Sequence, residues 1–285
     1  MLNNFKGLID AVHIRDEAKV VLKIVQTSSN EIPTALYLSS PDLQHDPRNH
    51  TVPILDVLLL PDDDTTALLV MPQLIYFNHL PFRRLGEVTE AFSQYIEGLD
   101  FMQEHRILHG DVCQLNLMME MTQVIPRGVH FVRRWTHDGV NEKLEWKTRW
   151  SVRPNKYYFI DFGHSYVIPL HITKPVGIGI YGQDKTVPEF QSPNPYNPFL
   201  MEIYQLGNVL MNLIKDYDGL ESLLELATAM TRHNPNDRIS LRNALDQINR
   251  IPKKSLNSRV WRKETPPPFR FMMRWCGKET QWIAF

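Results

Sequence analysis

Over the first eighty positions apolar residues alternate with polar ones or fall in short β-branched runs, and after Leu80 they recur at helical spacing. Residues 8–14 mix apolar and polar side chains in a strand-like way, Asp16-Glu17 marks a turn, and 19–25 (Lys-Val-Val-Leu-Lys-Ile-Val) reads as a second strand, so a hairpin is expected. A helix follows over 31–39, where Pro33 is tolerated only in the first turn. After an irregular polar stretch over 41–50, residues 52–60 form a strand, Pro61-Asp62-Asp63-Asp64 a tight turn, and 67–71 its antiparallel partner.

Val88, Phe92, Tyr95, Ile96, Leu99 and Met102 then place one long amphipathic helix at 85–105, leading into a loop around His109. Leu117-Met118-Met119 is a short apolar strand whose methionines are core residues, and 157–160 is the strand that delivers Asp161. Phe199, Ile203, Leu206, Leu210 and Leu213 repeat at helical spacing, as do apolar residues over 220–230 and 241–248. Thr265-Pro266-Pro267-Pro268 predicts an extended tail running over the surface.

Composition narrows the picture. At 285 residues, 43% hydrophobic and 22% charged, the chain has the make-up of an ordinary globular protein with a sizeable core. A formal net charge of −1 gives no electrostatic reason for a nucleic-acid or anionic-membrane partner. Residues 127–156 do interleave basic and aromatic side chains, as in single-strand stacking surfaces. Asp138, Glu142 and Glu145 offset that charge and favour a hairpin-like insertion. Two cysteines, Cys113 and Cys276, cannot build a disulfide framework and point to a reducing compartment. The first six residues lack the apolar core of a secretory signal. The apolar run from 67 is broken by Pro72 and Gln73, far short of the roughly 20 residues of a membrane span. An intracellular, cytoplasmic protein without a membrane partner is expected.

The chemistry concentrates in His109-Gly110-Asp111-Val112-Cys113-Gln114-Leu115-Asn116 and in Ile160-Asp161-Phe162-Gly163. Phosphoryl transfer needs a carboxylate to orient a hydroxyl nucleophile, and an amide and a carboxylate to hold magnesium; Asp111, Asn116 and Asp161 supply those groups in that order. Upstream, Lys23 lies between Leu22 and Ile24 on an apolar strand, where its ammonium needs a partner or a cleft, unless it is an edge-strand lysine facing solvent. Gly177-Ile178-Gly179-Ile180-Tyr181-Gly182 fits a dinucleotide-binding spacing but follows Pro175-Val176 and precedes no convincing helix, so a flexible segment explains it better.

With strands first, a lysine on one of them, a long helix, then H-x-D-x-x-x-x-N, D-F-G and Val187-Pro188-Glu189, residues 8–250 resemble the eukaryotic protein-kinase superfamily. The resemblance implies an α+β, bilobal kinase-like fold: a small β-rich N-lobe and hinge over 1–80, a larger helical C-lobe over 81–250, and a C-terminal tail over 251–285. It implies ATP and Mg2+ as cofactors and a protein Ser/Thr hydroxyl as the acceptor. Lys23 matches the phosphate-gripping lysine, Asp111 the catalytic-loop base, Asn116 and Asp161 the magnesium ligands, Met71 the gatekeeper, and Pro72, Gln73 and Leu74 the hinge facing adenine. Arg238 matches the late arginine that pairs with Glu189, and Glu202 falls where an Asp on a buried helix is usual. Asp46-Pro47-Arg48-Asn49-His50 and Ile203-Tyr204-Gln205-Leu206-Gly207 resemble a divergent group of fungal kinase-like proteins.

Four departures support the alternative of a pseudokinase, an ATP-binding or scaffolding module with little phosphotransfer. Only Gly7 lies upstream of Lys23 where a Gly-rich loop belongs, the helix glutamate aligns near Pro33 with Glu31 as a substitute, Gly110 replaces an arginine, and Cys113 replaces a lysine. Small-molecule phosphotransferases of the aminoglycoside-kinase type share H-G-D and the later Asn, but usually lack the Glu189 and Arg238 pair.

Overall fold

The computed structural model describes residues 7–276, so the expectation of no signal over 1–6 and the last part of the 251–285 tail lie outside the described residues. β1 (Leu8–Val12) and β2 (Lys19–Gln26) form the expected antiparallel hairpin, with Leu8 opposite Lys23. α1 (Glu31–Leu38) and the one-turn α2 (Pro41–Gln44) follow, then β3 (Asp56–Leu60) and β4 (Asp63–Pro72). The four strands make one antiparallel sheet in the order β1-β2-β4-β3.

β3 starts four residues later than the apolar run at 52–60 suggests. Pro53 has no N–H to give a ladder, and Val52 is drawn away, its N–H donating to the Phe159 carbonyl at 2.9 Å. This bond ties the entry to β3 to the strand that precedes Asp161.

Past β5 (Ile75–Tyr76), α3 (Leu85–Glu104) is the long helix its periodicity predicts. Phe92, Tyr95, Ile96, Leu99 and Met102 are all buried, and the side chain of Glu87 accepts from the Arg83 N–H at 2.6 Å and the Trp150 N–H at 2.9 Å, holding the helix start. β6 (Ile107–Leu108), β7 (Leu117–Met119), the single-turn α4 (Arg149–Val152), β8 (Tyr157–Phe159) and β9 (Tyr166–Val167) come next. They form a three-stranded sheet β5-β7-β8 and a two-stranded pair β6-β9. α5 (Pro198–Asp216), β10 (Tyr217–Asp218), α6 (Leu224–Met230), α7 (Leu241–Asn249), α8 (Lys253–Leu256), β11 (Trp261–Arg262) and α9 (Pro267–Cys276) complete the described chain. The class is α+β, with small antiparallel sheets and a helical part, and one core runs from Val25 and Leu69 of the first sheet through α3 to Leu206 and Leu210 of α5. Among the described residues no helix is long and apolar enough to cross a membrane.

Two expectations are corrected. Residues 127–156 are hairpin-like only at their centre and are not a regular hairpin throughout: an antiparallel bridge joins Thr136 and Lys143, the Leu144 N–H donates to the Trp135 carbonyl (3.1 Å) and the His137 N–H to the Glu142 carbonyl (2.9 Å), and side chains help to hold the rest of the loop. Arg149 is buried, its guanidinium donating to the carbonyls of Phe77 (2.6 Å), Leu80 (3.0 Å) and Pro81 (3.2 Å), and Trp135 stacks on His79 at 4.1 Å. The tail is not extended either, because Pro267 and Pro268 occupy the first turn of α9, where a missing N–H removes no helical bond. That helix is docked by Arg270, which reaches Asp218 at 2.7 Å and the Thr265 carbonyl at 2.9 Å.

Arg238 and Glu189 pair as the sequence suggests. The contact is bidentate, at 2.7 and 2.6 Å, with side chains 0% and 5% exposed. Arg238 also donates to the carbonyls of Leu200 (2.8 Å) and Arg232 (2.9 Å), so it links the 189 turn to the start of α5. Removing one partner of such a pair strands a buried charge, at a cost of about 3–5 kcal/mol. Arg238→Ala should therefore lower the urea midpoint markedly with little change in slope, and an unchanged midpoint would show that the pair does not anchor this region.

Candidate functional site

Lys23 sits in the middle of β2, on a strand flanked by β1 and β4, which leaves its long side chain to leave the sheet rather than end at an edge. Its side chain is 20% exposed and its ammonium is held between two carboxylates: that of Glu31, the first residue of α1, and Asp161 Oδ1 at 2.7 Å. Burial disfavours the charge on Lys23, but the two carboxylates outweigh it and the pKa lies above the ordinary value. Burial pushes Glu31 up despite Lys23. For Asp161 the upward push of burial is overcome by Lys23 and the Gly163 N–H, and its pKa falls below the usual carboxylate range. Pro33 does not disturb this arrangement, since it lies within the first turn of α1.

Asp161 adopts a left-handed backbone, φ 68°, a conformation uncommon outside glycine. It is reached directly from β8, and the residue between them stitches the two motifs together. The Ile160 N–H donates to the Asn116 carbonyl at 3.1 Å, and the Ile160 carbonyl accepts from His109 Nε2 at 3.0 Å. His109 Nδ1 accepts the Asp111 N–H at 3.2 Å, which assigns the proton to Nε2. The ring is buried, and its pKa is lowered accordingly.

Asp111 and Asn116 meet as their five-residue spacing requires. Asn116 Nδ2 donates to the Asp111 carbonyl at 2.9 Å and to Oδ2 at 3.0 Å, which leaves its own Oδ1 as the atom that could face a cation. The Asp111 carboxylate also accepts the Gln183 N–H on Oδ1 at 2.7 Å and Gln183 Nε2 on Oδ2 at 3.3 Å. Gln183 carried no signal in the sequence beyond its place near Val187-Pro188-Glu189.

Beneath this loop α5 offers polar side chains from an otherwise apolar helix. Glu202 Oε1 accepts the Gly110 N–H at 2.8 Å and Gln205 Oε1 accepts the Val112 N–H at 3.3 Å, both side chains being fully buried. Gly110 has φ 83°, and a Cβ there would lie 2.3 Å from the His164 carbonyl oxygen, so no side chain fits in place of the expected arginine. Cys113 is buried, and burial followed by the nearby Asp111 pushes its thiol up to about 11, which keeps it an unreactive thiol near neutral pH.

A cavity of about 280 Å³ opens beside Lys23 and Asp161. Met71, Pro72 and Leu74 line it as expected, together with Met118 and Ile160. Gln73 does not: its N–H donates to the Lys19 carbonyl at 3.1 Å, and its side chain turns to Val129 at 3.5 Å. Two further lining residues, Phe131 and Arg134, come from the 127–156 insertion and had no periodic signal. Asp111 and Asn116 lie outside that lining and reach it through Ile160. Among the described residues no cluster of three or more His, Cys, Asp or Glu side chains could hold a metal ion. The oxygen donors available are Asn116 Oδ1 and the Asp161 carboxylate, a hard pair that suits magnesium when phosphate oxygens complete the shell. The sequence matches no family model and no curated protein.

Glu202 supplies a pH signature. Burial raises its carboxyl to about 8, against bonds from Gly110, His109 and Gln103 that pull it back, and Oε2 has no hydrogen-bond partner among the described residues. Between the ordinary 4.5 and about 8 the folded chain holds a proton that the unfolded chain has released. Stability from this group is therefore full below the lower value and falls as pH rises to the upper one. Glu202→Gln should flatten the decline of the melting temperature between about pH 5 and about pH 8.5. An identical decline in parent and variant would remove Glu202 as its source.

Proposed function

We propose that this chain is a bilobal protein-kinase-like domain that binds ATP with magnesium and transfers the γ-phosphate to protein Ser or Thr hydroxyls. In this reading residues 1–80 form the N-lobe and hinge and 81–250 the C-lobe. The observation that supports it most is the Lys23 ammonium shared between Glu31 and Asp161, stitched through Ile160 to Asp111 and Asn116.

Each group has a part that follows from its position. Lys23, fixed by its two carboxylates, holds phosphate oxygens in the cavity and offsets their charge. Asp111 orients the acceptor hydroxyl and takes its proton as the bond from the acceptor oxygen to the γ-phosphorus forms, while the bond from that phosphorus to the β-phosphate oxygen breaks and ADP leaves. Asn116 Oδ1 and the Asp161 carboxylate would hold magnesium, which when bound neutralises charge on the β- and γ-phosphates. Met71, Leu74 and Met118 give the base an apolar slot and exclude water.

The second reading, a pseudokinase, draws on Gln183. Its main-chain and side-chain nitrogens sit on both Asp111 oxygens, the place an acceptor hydroxyl would need. Two measurements separate the readings. ATP with magnesium at a hundred times its dissociation constant adds about 2.7 kcal/mol of stability, several degrees of melting temperature at this size, and Lys23→Met and Asp161→Asn should each shrink that shift. Phosphotransfer to a generic acceptor protein should exceed that of Asp111→Asn. No shift at millimolar nucleotide defeats the kinase reading and the ATP-binding form of the pseudokinase, leaving only a scaffolding module. A shift with transfer no higher than Asp111→Asn leaves the pseudokinase.

A further inference from the structure

Successive side chains of a strand point to opposite faces of its sheet, and both faces of the first sheet are apolar. On the inner one Val25, Ala67 and Leu69 are core residues, and Val57 and Met71 pack against that core. On the outer one the strand register sets Ile9, Leu22 and Val70 in one cross-strand row and Ile24, Leu68 and Leu58 in the next. Ile9, Ile24 and Leu58 are 45%, 42% and 41% exposed, and Leu22, Leu68 and Val70 are half-buried. None of the six belongs to the core or packs against it. An antiparallel sheet with one face in water ordinarily carries polar side chains there. Six contiguous apolar ones across four strands are more than scattered surface hydrophobes amount to, and such a patch marks an interaction surface.

Charge identifies what covers it. The first row ends on the same face at Asp56, which pairs with Val70, and the turn from β3 to β4 carries Asp62, Asp63 and Asp64 at the end of the second. Residues 20–38 and 52–72 contain a single Lys and no Arg. That one cation, Lys23, is held on the inner side by Glu31 and Asp161. Arg15 and Lys19 belong to the hairpin turn at the opposite end of the sheet, and Lys19 is turned to the Val129 carbonyl at 3.3 Å. The apolar face therefore has an acidic rim with no cation of its own strands to balance it, and its complement is an apolar surface with cationic flanks. A second copy meets the face poorly, because a two-fold contact would set these aspartates against themselves. An anionic lipid surface is repelled by the same rim.

We propose that the outer face of the first sheet docks a basic amphipathic helix of a partner polypeptide, with its apolar stripe on the two rows and its Lys or Arg side chains beside Asp56 and the 62–64 turn. The dimensions agree. Four strands about 4.8 Å apart span roughly 14 Å, close to the width of about 10–12 Å that a helix with its side chains occupies. A helix also brings its apolar residues to one side and leaves charged ones along both margins, the pattern this face presents in reverse. The inference is independent of the nucleotide reading, since none of the docking groups contacts Lys23, Asp111, Asn116 or Asp161 through its side chain.

The test reads fluorescence anisotropy on the full chain with three fluorescein-labelled peptides of about four helical turns. One has Leu at helical spacing with Lys elsewhere, one keeps the Leu positions and replaces Lys with Glu, and one has the Leu–Lys composition in scrambled order. The ordered Leu–Lys peptide should bind about tenfold or more tightly than either of the others. Leu58→Lys and Ile9→Lys, both at exposed positions of edge strands, should each weaken it about fivefold or more, and Leu224→Lys, exposed on α6, should leave it unchanged. Asp56→Lys should weaken the Leu–Lys peptide and strengthen the Leu–Glu one, a reversal that unfolding cannot produce. Equal binding of all three peptides, or affinity unaltered by Leu58→Lys and Ile9→Lys, overturns the proposal. So does a dimer in sedimentation that Leu58→Lys dissolves, which gives the face to a second copy, or tighter peptide binding after Phe5→Lys, which gives it to the first residues of the chain itself. The melting shift with ATP and magnesium reports on the nucleotide site separately.

Discussion

The buried ammonium of Lys23 is the constraint on which the rest depends. A cation that is four-fifths out of water must be paired, and its two carboxylates come from residues eight and 138 positions away. They can meet only if β2, α1 and the turn after β8 are all in place. The Val52 to Phe159 bond assists by tying the entry to β3 to the same strand that delivers Asp161. The triad thus joins the first sheet to the second through charge, in addition to the apolar core they share.

A second set of polar contacts fixes the loop carrying Asp111 and Asn116. Helix α5 is apolar enough to be core, yet it buries Glu202 and Gln205 completely and spends each on one backbone N–H of that loop. Those N–H groups have no strand or helix to receive them, so the side chains stand in for secondary structure. A carboxyl in such a place is more easily tolerated protonated than ionised, which is why its pKa moves up rather than down. The left-handed Gly110 follows from the same geometry, since the chain turns against the His164 carbonyl with no room for a Cβ.

What could be read in advance was whatever repeats or whatever carries a charge at fixed spacing. The long helix α3, the strand before Asp161 and the Asp111 to Asn116 spacing belong to this group, whereas the Arg238 to Glu189 pair followed only from the resemblance to the kinase pattern. Glu31 was legible only as a substitute, because Pro33 obscured the position and only the three-dimensional turn of α1 shows that the carboxylate still reaches Lys23. The 127–156 insertion was illegible for a different reason. Outside the short antiparallel turn around Thr136 and Lys143, its order comes largely from Arg149 bonding three carbonyls and from rings stacked across the chain, contacts with no period and no local propensity. So Phe131 and Arg134, which it carries into the cavity wall, could not be found. The tail was misread because three consecutive prolines suggest an extended chain, yet Pro267 and Pro268 fall where a helix can begin.

The segment from Asp161 to Glu189 is tied at both ends and along its middle. Lys23 secures one end and Arg238 the other, and between them β9 pairs with β6, Arg106 donates to the carbonyls of Ile168 (3.1 Å) and Pro169 (2.9 Å), and Gly177 exchanges two bonds with Tyr196. Gln183 makes one strong contact and one weak one. Its main-chain bond to Asp111 Oδ1, at 2.7 Å, is short and charge-assisted, but its carboxamide meets Oδ2 at 3.3 Å, near the limit for a hydrogen bond. If a hydroxyl approaches Asp111, the carboxamide is the contact that yields: water or the hydroxyl itself can replace it without moving the backbone. In the kinase reading proposed above, the main-chain bond then persists, holding Oδ1 while Oδ2 faces the newcomer, so the residue that covers the carboxylate would also orient it.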